Sequence, residues 1–120
     1  MRSGLEVRNA KLLKRHKVPF EYETMKINWR DTRVRTYRPD FILPNGIIIE
    51  AKGRFVLSDR NKHLFVKEQH PELDIRFVFS NPNNKITKGS KTTYGDWCDK
   101  HGFMFAAEFI PKEWIEEAKA

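Results

Sequence analysis

Four stretches of the chain carry sequence signals of helices. Ser3 is a favourable N-cap for the first stretch, Pro71 and Gly102 end the second and third, and Pro111 suits the opening of the fourth. On a helical wheel the first stretch places its leucines on one stripe and three basic residues on the opposite side. The predicted helices cover residues 3–16, 58–69 and 93–101, and a last one begins at 111.

Strand signals occupy much of the remaining chain. Phe20 and Tyr22 alternate with glutamates, which predicts a strand from Val18 to about Ile27, and Ile75–Phe79 has the strongest pattern of a buried strand. Residues 28–36 are polar and rich in arginine, so they form either a linker or an extended ribbon. Further strands are predicted over 37–43, 47–52 and 103–105, with a polar loop over 81–91.

This order of elements, α-β-β-β-α-β-α-β-α, predicts an α/β (α+β) fold with a mixed central sheet flanked by helices. A length of 120 residues with 39% hydrophobic residues is enough for one domain with a true core. One cysteine excludes a disulfide scaffold and a cysteine-rich zinc site. The longest apolar run is too short to cross a bilayer and no signal peptide is recognised, so we expect a cytoplasmic protein without a membrane partner.

Positive charge is concentrated in the first third of the chain. The net charge is +7, and residues 1–40 hold 11 Lys and Arg against 5 Asp and Glu. The excess is greatest from Arg30 to Arg38, where Arg33 and Arg35 would share one face of an extended strand. Such a run is either a solvated edge strand that resists aggregation or a ridge that follows phosphates. Nucleic acid is the expected polyanionic partner.

Two carboxylates and a lysine lie in neighbouring predicted strands. Glu50 and Lys52 are two residues apart and therefore share a face. The loop 44–46 reads Pro-Asn-Gly, which suits a type I turn closed by a left-handed Gly46. With this three-residue loop, Asp40 lies directly opposite Glu50. Local turn rules therefore predict that all three side chains share one face.

Close carboxylates repel one another unless a positive charge lies between them. Mg²⁺ suits such oxygen ligands, and Lys52 could then orient a water or stabilise charge on a phosphate. The alternative is a cross-strand ion pair on a solvated face. Glu6 also has two interpretations: it completes a capping box with Ser3, and it borders the buried stripe of its helix, from which it could reach a site below.

Pro39-Asp40, nine further residues and then Glu50-Ala51-Lys52 match the short PD-(D/E)xK nuclease pattern. Longer stretches around it resemble the phage endonuclease I family, the junction-resolving nucleases of T-odd podophages, in matching order from Arg2 to about Glu116. Residues 25–36 match poorly. The matching segments are residues 2–6, 20–23, 39–41, 43–46, 68–76, 94–95, 100–102 and 113–115.

The resemblance implies a metal-dependent endodeoxyribonuclease that cuts four-way (Holliday) junctions and other branched or mismatched DNA, leaving 5′-phosphate ends. It places the family's catalytic residues on Glu6, Asp40, Glu50 and Lys52. Two Mg²⁺ ions, replaceable by Mn²⁺, are implied. Asp40, Glu50 and the backbone carbonyl of Ala51 would hold one, and Glu6 with Asp40 the other. A water oriented by Lys52 would attack the phosphorus.

The resemblance also implies an intertwined homodimer with a restriction-endonuclease-like core, acting in a phage-infected bacterial cell and needing no small-molecule cofactor. Residues 1–27 would be swapped into the partner, 28–36 would form the bridge and 37–120 the nuclease core. Basic residues are expected to contact the backbone of branched double-stranded DNA. These are Arg8, Lys11, Arg15, Arg30, Arg33, Arg35, Arg38, Lys62, Lys85, Lys88 and Lys91.

Two other functions stay open on the sequence alone. A sequence-specific restriction- or homing-type nuclease would need an added base-reading element, for which 120 residues leave little room. A non-catalytic DNA-binding module would have no need for Asp40, Glu50 and Lys52 on one face. His63 and His70 flank the second predicted helix. Each could contact DNA, but a helix-surface or capping role is favoured.

Overall fold

A mixed sheet with helices around it forms the protein, seen in a computed structural model that describes residues 3–120. Met1 and Arg2 lie outside the described residues. Arg2 is the first residue of the matching segment 2–6. The helices are α1 (Gly4–Arg15), α2 (Leu57–Gln69), α3 (Tyr94–His101) and α4 (Lys112–Lys119). The strands are β1 (Glu21–Tyr22), β2 (Ile27–Arg30), β3 (Val34–Tyr37), β4 (Phe41–Ile42), β5 (Ile48–Lys52), β6 (Ile75–Phe79) and β7 (Phe105–Ala107).

The main sheet has the strand order β1-β4-β5-β6-β7. The first two pairs are antiparallel, and β5-β6 and β6-β7 are parallel. Helices α2 and α3 connect the parallel strands, as crossovers of this kind require. The predicted α+β class with a mixed sheet is confirmed. None of the helices in the described part of the chain has the length and hydropathy to span a membrane.

Each face of the sheet carries its own apolar core, because successive side chains of a strand point to opposite faces. Phe77 and Phe79 of β6 belong to the core that includes residues of α2, α3 and the β2–β3 hairpin. Val78 belongs to the opposite core, together with Leu13 of α1 and Trp114 of α4. The helix predictions hold to within about one residue at nearly every end.

The predicted three-residue turn between β4 and β5 is confirmed. Phe41 pairs with Ile49 and Ile42 with Ile48, which is the register that sets Asp40 opposite Glu50. Gly46 has a φ of +89°, the left-handed conformation that the turn requires. This turn positions the candidate active site described below.

The prediction of one strand over residues 18–27 is wrong. Regular pairing with β4 is confined to Glu21 and Tyr22, because Pro19 has no N–H to donate and Glu23 takes a left-handed φ of +53°. Pro39 likewise interrupts the predicted strand 37–43, so that Tyr37 ends β3 instead. Five strands therefore precede α2, where three were predicted.

Residues 28–36 adopt the ribbon alternative, since most of them lie in an antiparallel hairpin of β2 and β3. The hairpin is bound to the end of α2. The Gln69 side chain accepts a hydrogen bond from the Arg30 N–H at 2.7 Å and donates one to the Arg30 carbonyl at 2.6 Å. Trp29 stacks on Phe65 with ring centroids 5.9 Å apart. The last predicted strand is displaced: β7 begins at Phe105, whereas Phe103 is buried in the core.

Candidate active site

The structure brings the four sequence-predicted catalytic residues to one end of the β4–β5 pair. Asp40 directly precedes β4, Glu50 and Lys52 lie in β5, and Glu6 lies in the first turn of α1. The Ala51 N–H donates a hydrogen bond to Asp40 Oδ2 at 2.9 Å, which ties the carboxylate to the neighbouring strand. All three acidic residues of this set are buried, with exposures of 5% for Glu6, 8% for Asp40 and 4% for Glu50.

Glu6 takes part in both arrangements that the sequence allowed. Its backbone N–H donates to Ser3 Oγ at 3.1 Å, so Ser3 caps α1 as predicted. Its carboxylate accepts a hydrogen bond from the Tyr22 hydroxyl at 3.1 Å and lies against Asp40. The backbone of Glu6 therefore takes part in the cap of α1, while its side chain reaches the site.

Glu23 is a carboxylate at the site that the sequence analysis missed. Carboxylate oxygens of Glu6, Glu23 and Asp40 all lie within 4.8 Å of one another. The Glu23 N–H donates to the Asp40 carbonyl at 3.0 Å. In a regular strand the side chains of Tyr22 and Glu23 would point to opposite faces. The positive φ of Glu23 breaks this alternation. Nothing in the local sequence signals a left-handed glutamate, so spacing alone could not identify it.

Asp40 is buried near the carboxylates of Glu6 and Glu50, and its pKa is raised as a consequence. Burial, and then repulsion from the Glu50 carboxylate, raise the pKa of Asp40 to about 8. Burial by itself would also raise the pKa of Glu6, but hydrogen bonds from Asp40, Ser3 and Tyr22 outweigh it and lower that pKa. Asp40 and Glu6 are therefore stable together when a proton or a cation lies between them.

Glu50 is held by a hydroxyl and an ammonium. The Tyr37 hydroxyl donates a hydrogen bond to Glu50 Oε2, and Lys52 Nζ lies 3.8 Å from Glu50 Oε1. Burial raises the pKa of Glu50, and the charge of Lys52 and the Tyr37 hydrogen bond offset part of that rise. Lys52 Nζ also lies 3.4 Å from Asp59 Oδ1 on α2, so its ammonium is fixed between two acids.

The donor set fits a hard divalent cation. Oxygen ligands about 2.0–2.1 Å from Mg²⁺ are roughly 3–4 Å apart from one another, a spacing compatible with the cluster of Glu6, Glu23 and Asp40. A cation there would relieve the repulsion that raises the pKa of Asp40. Ala51, whose carbonyl is a further predicted ligand, is half-buried beside these groups in β5.

Nine of the eleven sequence-predicted DNA-binding residues form three exposed groups, and the other two, Lys62 and Arg35, are half-buried. Lys62 is half-buried, and burial lowers its pKa while the nearby Glu50 carboxylate opposes that shift. The exposed residues of the α1 face are Arg8, Lys11 and Arg15. Those of the hairpin and its flank are Arg30, Arg33 and Arg38, and those of the loop 81–91 are Lys85, Lys88 and Lys91.

The expectation that Arg33 and Arg35 share one face of an extended strand is wrong. Arg33 lies in the hairpin turn before β3 begins. Arg35 is half-buried, with its Nε 2.9 Å from Asp31 Oδ2 and its guanidinium 5.8 Å from the Trp29 ring centroid. Asp31 is close enough to pair with Arg35 because the chain reverses between them, and an extended strand would separate them.

The surface assignment of His63 is also wrong. The residue is completely buried, and among the described residues neither ring nitrogen has a hydrogen-bond partner. Its ring packs edge-on against Tyr37 and Phe77, with centroids 5.0 and 4.8 Å away. Burial lowers the pKa of His63 well below its ordinary value, so the ring is neutral.

Comparisons with known proteins agree with the resemblance in the sequence. The family model described as Phage endonuclease I matches residues 1–120. Endonuclease I of Escherichia phage T7 is 52% identical over 119 residues, which cover 98% of this chain and 80% of that protein. Endodeoxyribonuclease 1 of Enterobacteria phage T3 is 50% identical over 119 residues, covering 98% of this chain and 78% of that protein. The chain therefore belongs to the phage endonuclease I family.

Proposed function

We propose that the chain is a metal-dependent endodeoxyribonuclease that resolves four-way junctions and cuts other branched or mismatched DNA, leaving 5′-phosphate ends, in the cytoplasm of an infected bacterium. The names of the two relatives support nuclease chemistry. The observation that carries the proposal is the convergence of Glu6, Asp40, Glu50 and Lys52 at one end of the β4–β5 pair. Burying mutually repelling carboxylates is costly, and a purely DNA-binding module has no use for them.

Mg²⁺ is the proposed metal, with Mn²⁺ as a substitute and two ions in each site. Asp40, Glu50 and the Ala51 carbonyl would hold one ion. Glu6 and Asp40 would hold the other, and Glu23 is a further donor within reach of that position. When bound, the ions supply Lewis-acid polarisation of the scissile phosphate and acidify the attacking water.

Lys52 would act directly on the phosphate and the water. Its side chain is 21% exposed, so a DNA strand can reach it, while Glu50 and Asp59 limit its movement. From that position it would orient the water and stabilise the negative charge that develops on the phosphate. The basic groups on α1, the hairpin and the loop 81–91 would contact phosphates and not base edges, because the enzyme selects branch geometry.

We further propose a homodimer of restriction-endonuclease-like cores in which residues 1–27 are exchanged, 28–36 form the bridge and 37–120 the core. Two symmetric cuts across a junction require two sites, and a twofold dimer supplies them. In the structure α1 packs on the core of its own chain through Leu5 and Leu13. Opening the hairpin at its turn would let the same contacts form between chains.

The test compares cleavage of a synthetic four-way junction with that of its linear duplex, each with and without Mg²⁺. Selective, Mg²⁺-dependent cutting of the junction, independent of its sequence, is expected. Cutting of one particular sequence in the linear duplex would favour a restriction-type enzyme. Binding without any cleavage would favour a non-catalytic module.

Two pairs of variants link any cleavage to the site. Glu50→Gln and Lys52→Ala should each reduce cleavage at least about 100-fold, the usual effect of losing one stabilising group, and leave junction binding largely intact. Glu113→Gln and Lys100→Ala replace exposed residues of the same types on α4 and α3 and should cut like the wild type. Undiminished cleavage by either site variant would refute its assigned role.

A further inference from the structure

Tyr37 is a buried residue at the end of β3 whose hydroxyl donates a hydrogen bond to Glu50 Oε2. It is only 3% exposed, so water does not compete for that hydrogen bond. On the basis of the proposed function, we propose that Tyr37 is a positioning residue: its hydroxyl holds the Glu50 carboxylate in the orientation that binds the divalent ion.

The Tyr37 ring is fixed by contacts on more than one side. His63 packs against it edge-on, with ring centroids 5.0 Å apart and an interplanar angle of 84°. Lys62 Nζ lies 4.8 Å from the ring centroid, a cation–π distance. A ring packed in this way cannot rotate its hydroxyl away from Glu50 without displacing the core. The donor is therefore in place before a metal arrives, as an outer partner of a metal ligand should be.

The two carboxylate oxygens of Glu50 have different partners. Oε2 accepts from Tyr37, while Oε1 lies 3.8 Å from Lys52 Nζ. A tyrosine hydroxyl ordinarily has a pKa of about 10, so at neutral pH it is protonated and can donate this hydrogen bond. Since Tyr37 also pairs with Ile27 across the hairpin, the same residue ties the position of the hairpin to that of Glu50.

The Tyr37→Phe variant removes the hydroxyl and keeps the ring contacts with His63 and Lys62. We expect its Mn²⁺ dissociation constant, measured by isothermal titration calorimetry, to rise about 10–100-fold. Junction cleavage should fall at limiting Mn²⁺ and recover when Mn²⁺ is raised. The matched control is Tyr94→Phe, which changes another buried tyrosine of the same core and should leave Mn²⁺ affinity unchanged.

A double variant tests whether the hydroxyl acts through Glu50. In a Glu50→Gln background, adding Tyr37→Phe should not weaken Mn²⁺ binding further, because the carboxylate that the hydroxyl positions is already absent. Additive losses would overturn the inference. So would a Tyr37→Phe chain that binds Mn²⁺ like the wild type, or one that loses its fold in thermal melting, since the hydroxyl would then be structural.

The wild type separates this inference from the proposed function. Wild-type protein that binds Mn²⁺ and cuts junctions, with Tyr37→Phe indistinguishable from it, would refute the role of Tyr37 alone. Wild-type protein that neither binds Mn²⁺ nor cuts junctions would overturn the proposed function and this inference with it.

Discussion

Asp40 is a buried acid whose neighbours at the site are also acids. Its pKa is raised from an ordinary 3.8 to about 8, first by burial and then by Glu50. The folded protein therefore binds this proton more tightly than the unfolded chain does. The resulting stability is complete below about pH 4 and is lost as the pH rises to about 8.

We predict that, in the presence of a chelator, the melting temperature of the wild type falls as the pH is raised from about 5 to about 8. Asp40→Asn, which cannot ionise, should show a weaker fall and melt at least about 4 °C above the wild type at pH 8, the shift that corresponds to roughly 1 kcal/mol in a domain of this size. Thermal melting followed by circular dichroism measures both.

Addition of Mg²⁺ in place of the chelator should stabilise the wild type at pH 8 and leave Asp40→Asn nearly unchanged. The control is Asp99→Asn, which alters an exposed aspartate of α3 and should follow the wild type throughout. If Asp40→Asn kept the wild-type dependence on pH, the buried carboxyl would not be the group responsible.

At the scale of elements, one buried amide on α1 forms hydrogen bonds to the segment between β7 and α4. Asn9 Nδ2 donates to the Leu5 carbonyl at 3.0 Å and to the Glu108 carbonyl at 2.9 Å, and its Oδ1 accepts from the Ile110 N–H at 2.8 Å. Asn9 is completely buried, so water cannot replace these partners. The position of Glu6, one turn earlier on α1, depends on this attachment.

Asn9→Ala is therefore expected to lower the free energy of unfolding by about 2 kcal/mol, because it leaves the buried Ile110 N–H and the part-buried Glu108 carbonyl without these partners. Urea unfolding measures the change. Asn61→Ala removes an exposed asparagine from α2 and should stay within about 0.5 kcal/mol of the wild type. Equal stability of the two variants would show that the Asn9 hydrogen bonds contribute little.

Two arginines of the hairpin differ in whether they are free to contact DNA phosphates. Arg33 is exposed in the turn, whereas Arg35 is paired with Asp31. Arg33→Ala should reduce the salt dependence of junction binding by about one phosphate contact, and Arg35→Ala by less. Fluorescence anisotropy over a salt series, without divalent ions, gives the slopes. If a variant lacking both arginines kept the wild-type slope, the phosphate contacts would have to be sought outside these two residues, in the loop 81–91 or on the basic face of α1.

At the scale of the whole molecule, the open question is whether Glu6 serves its own chain or a partner. If residues 1–27 are exchanged, a heterodimer of Glu6→Ala and Asp40→Ala chains contains one site with both changes and one with neither. Mixed chains should then regain nicking of a four-way junction, whereas each variant alone should cut nothing. Native mass spectrometry confirms the heterodimer. Confirmed heterodimers without activity would contradict the exchange.

The sequence by itself determined the elements whose signals are local. The cap at Ser3 fixed where the first helix begins, Gly102 fixed where the third ends, and the turn 44–46 fixed the register of β4 and β5. Because register follows from turn chemistry, the approach of Asp40 to Glu50 could be predicted without any knowledge of the fold.

Only the tertiary structure decided the features that depend on contacts distant in sequence. Glu23 reaches Asp40 because the chain turns left-handed at a residue with no local signal for it, and Tyr37 reaches Glu50 because the hairpin folds against α2. His63 is buried because aromatic rings from other elements surround it. Spacing along one element predicts the face on which a residue lies, but the partner on that face is set by packing between elements.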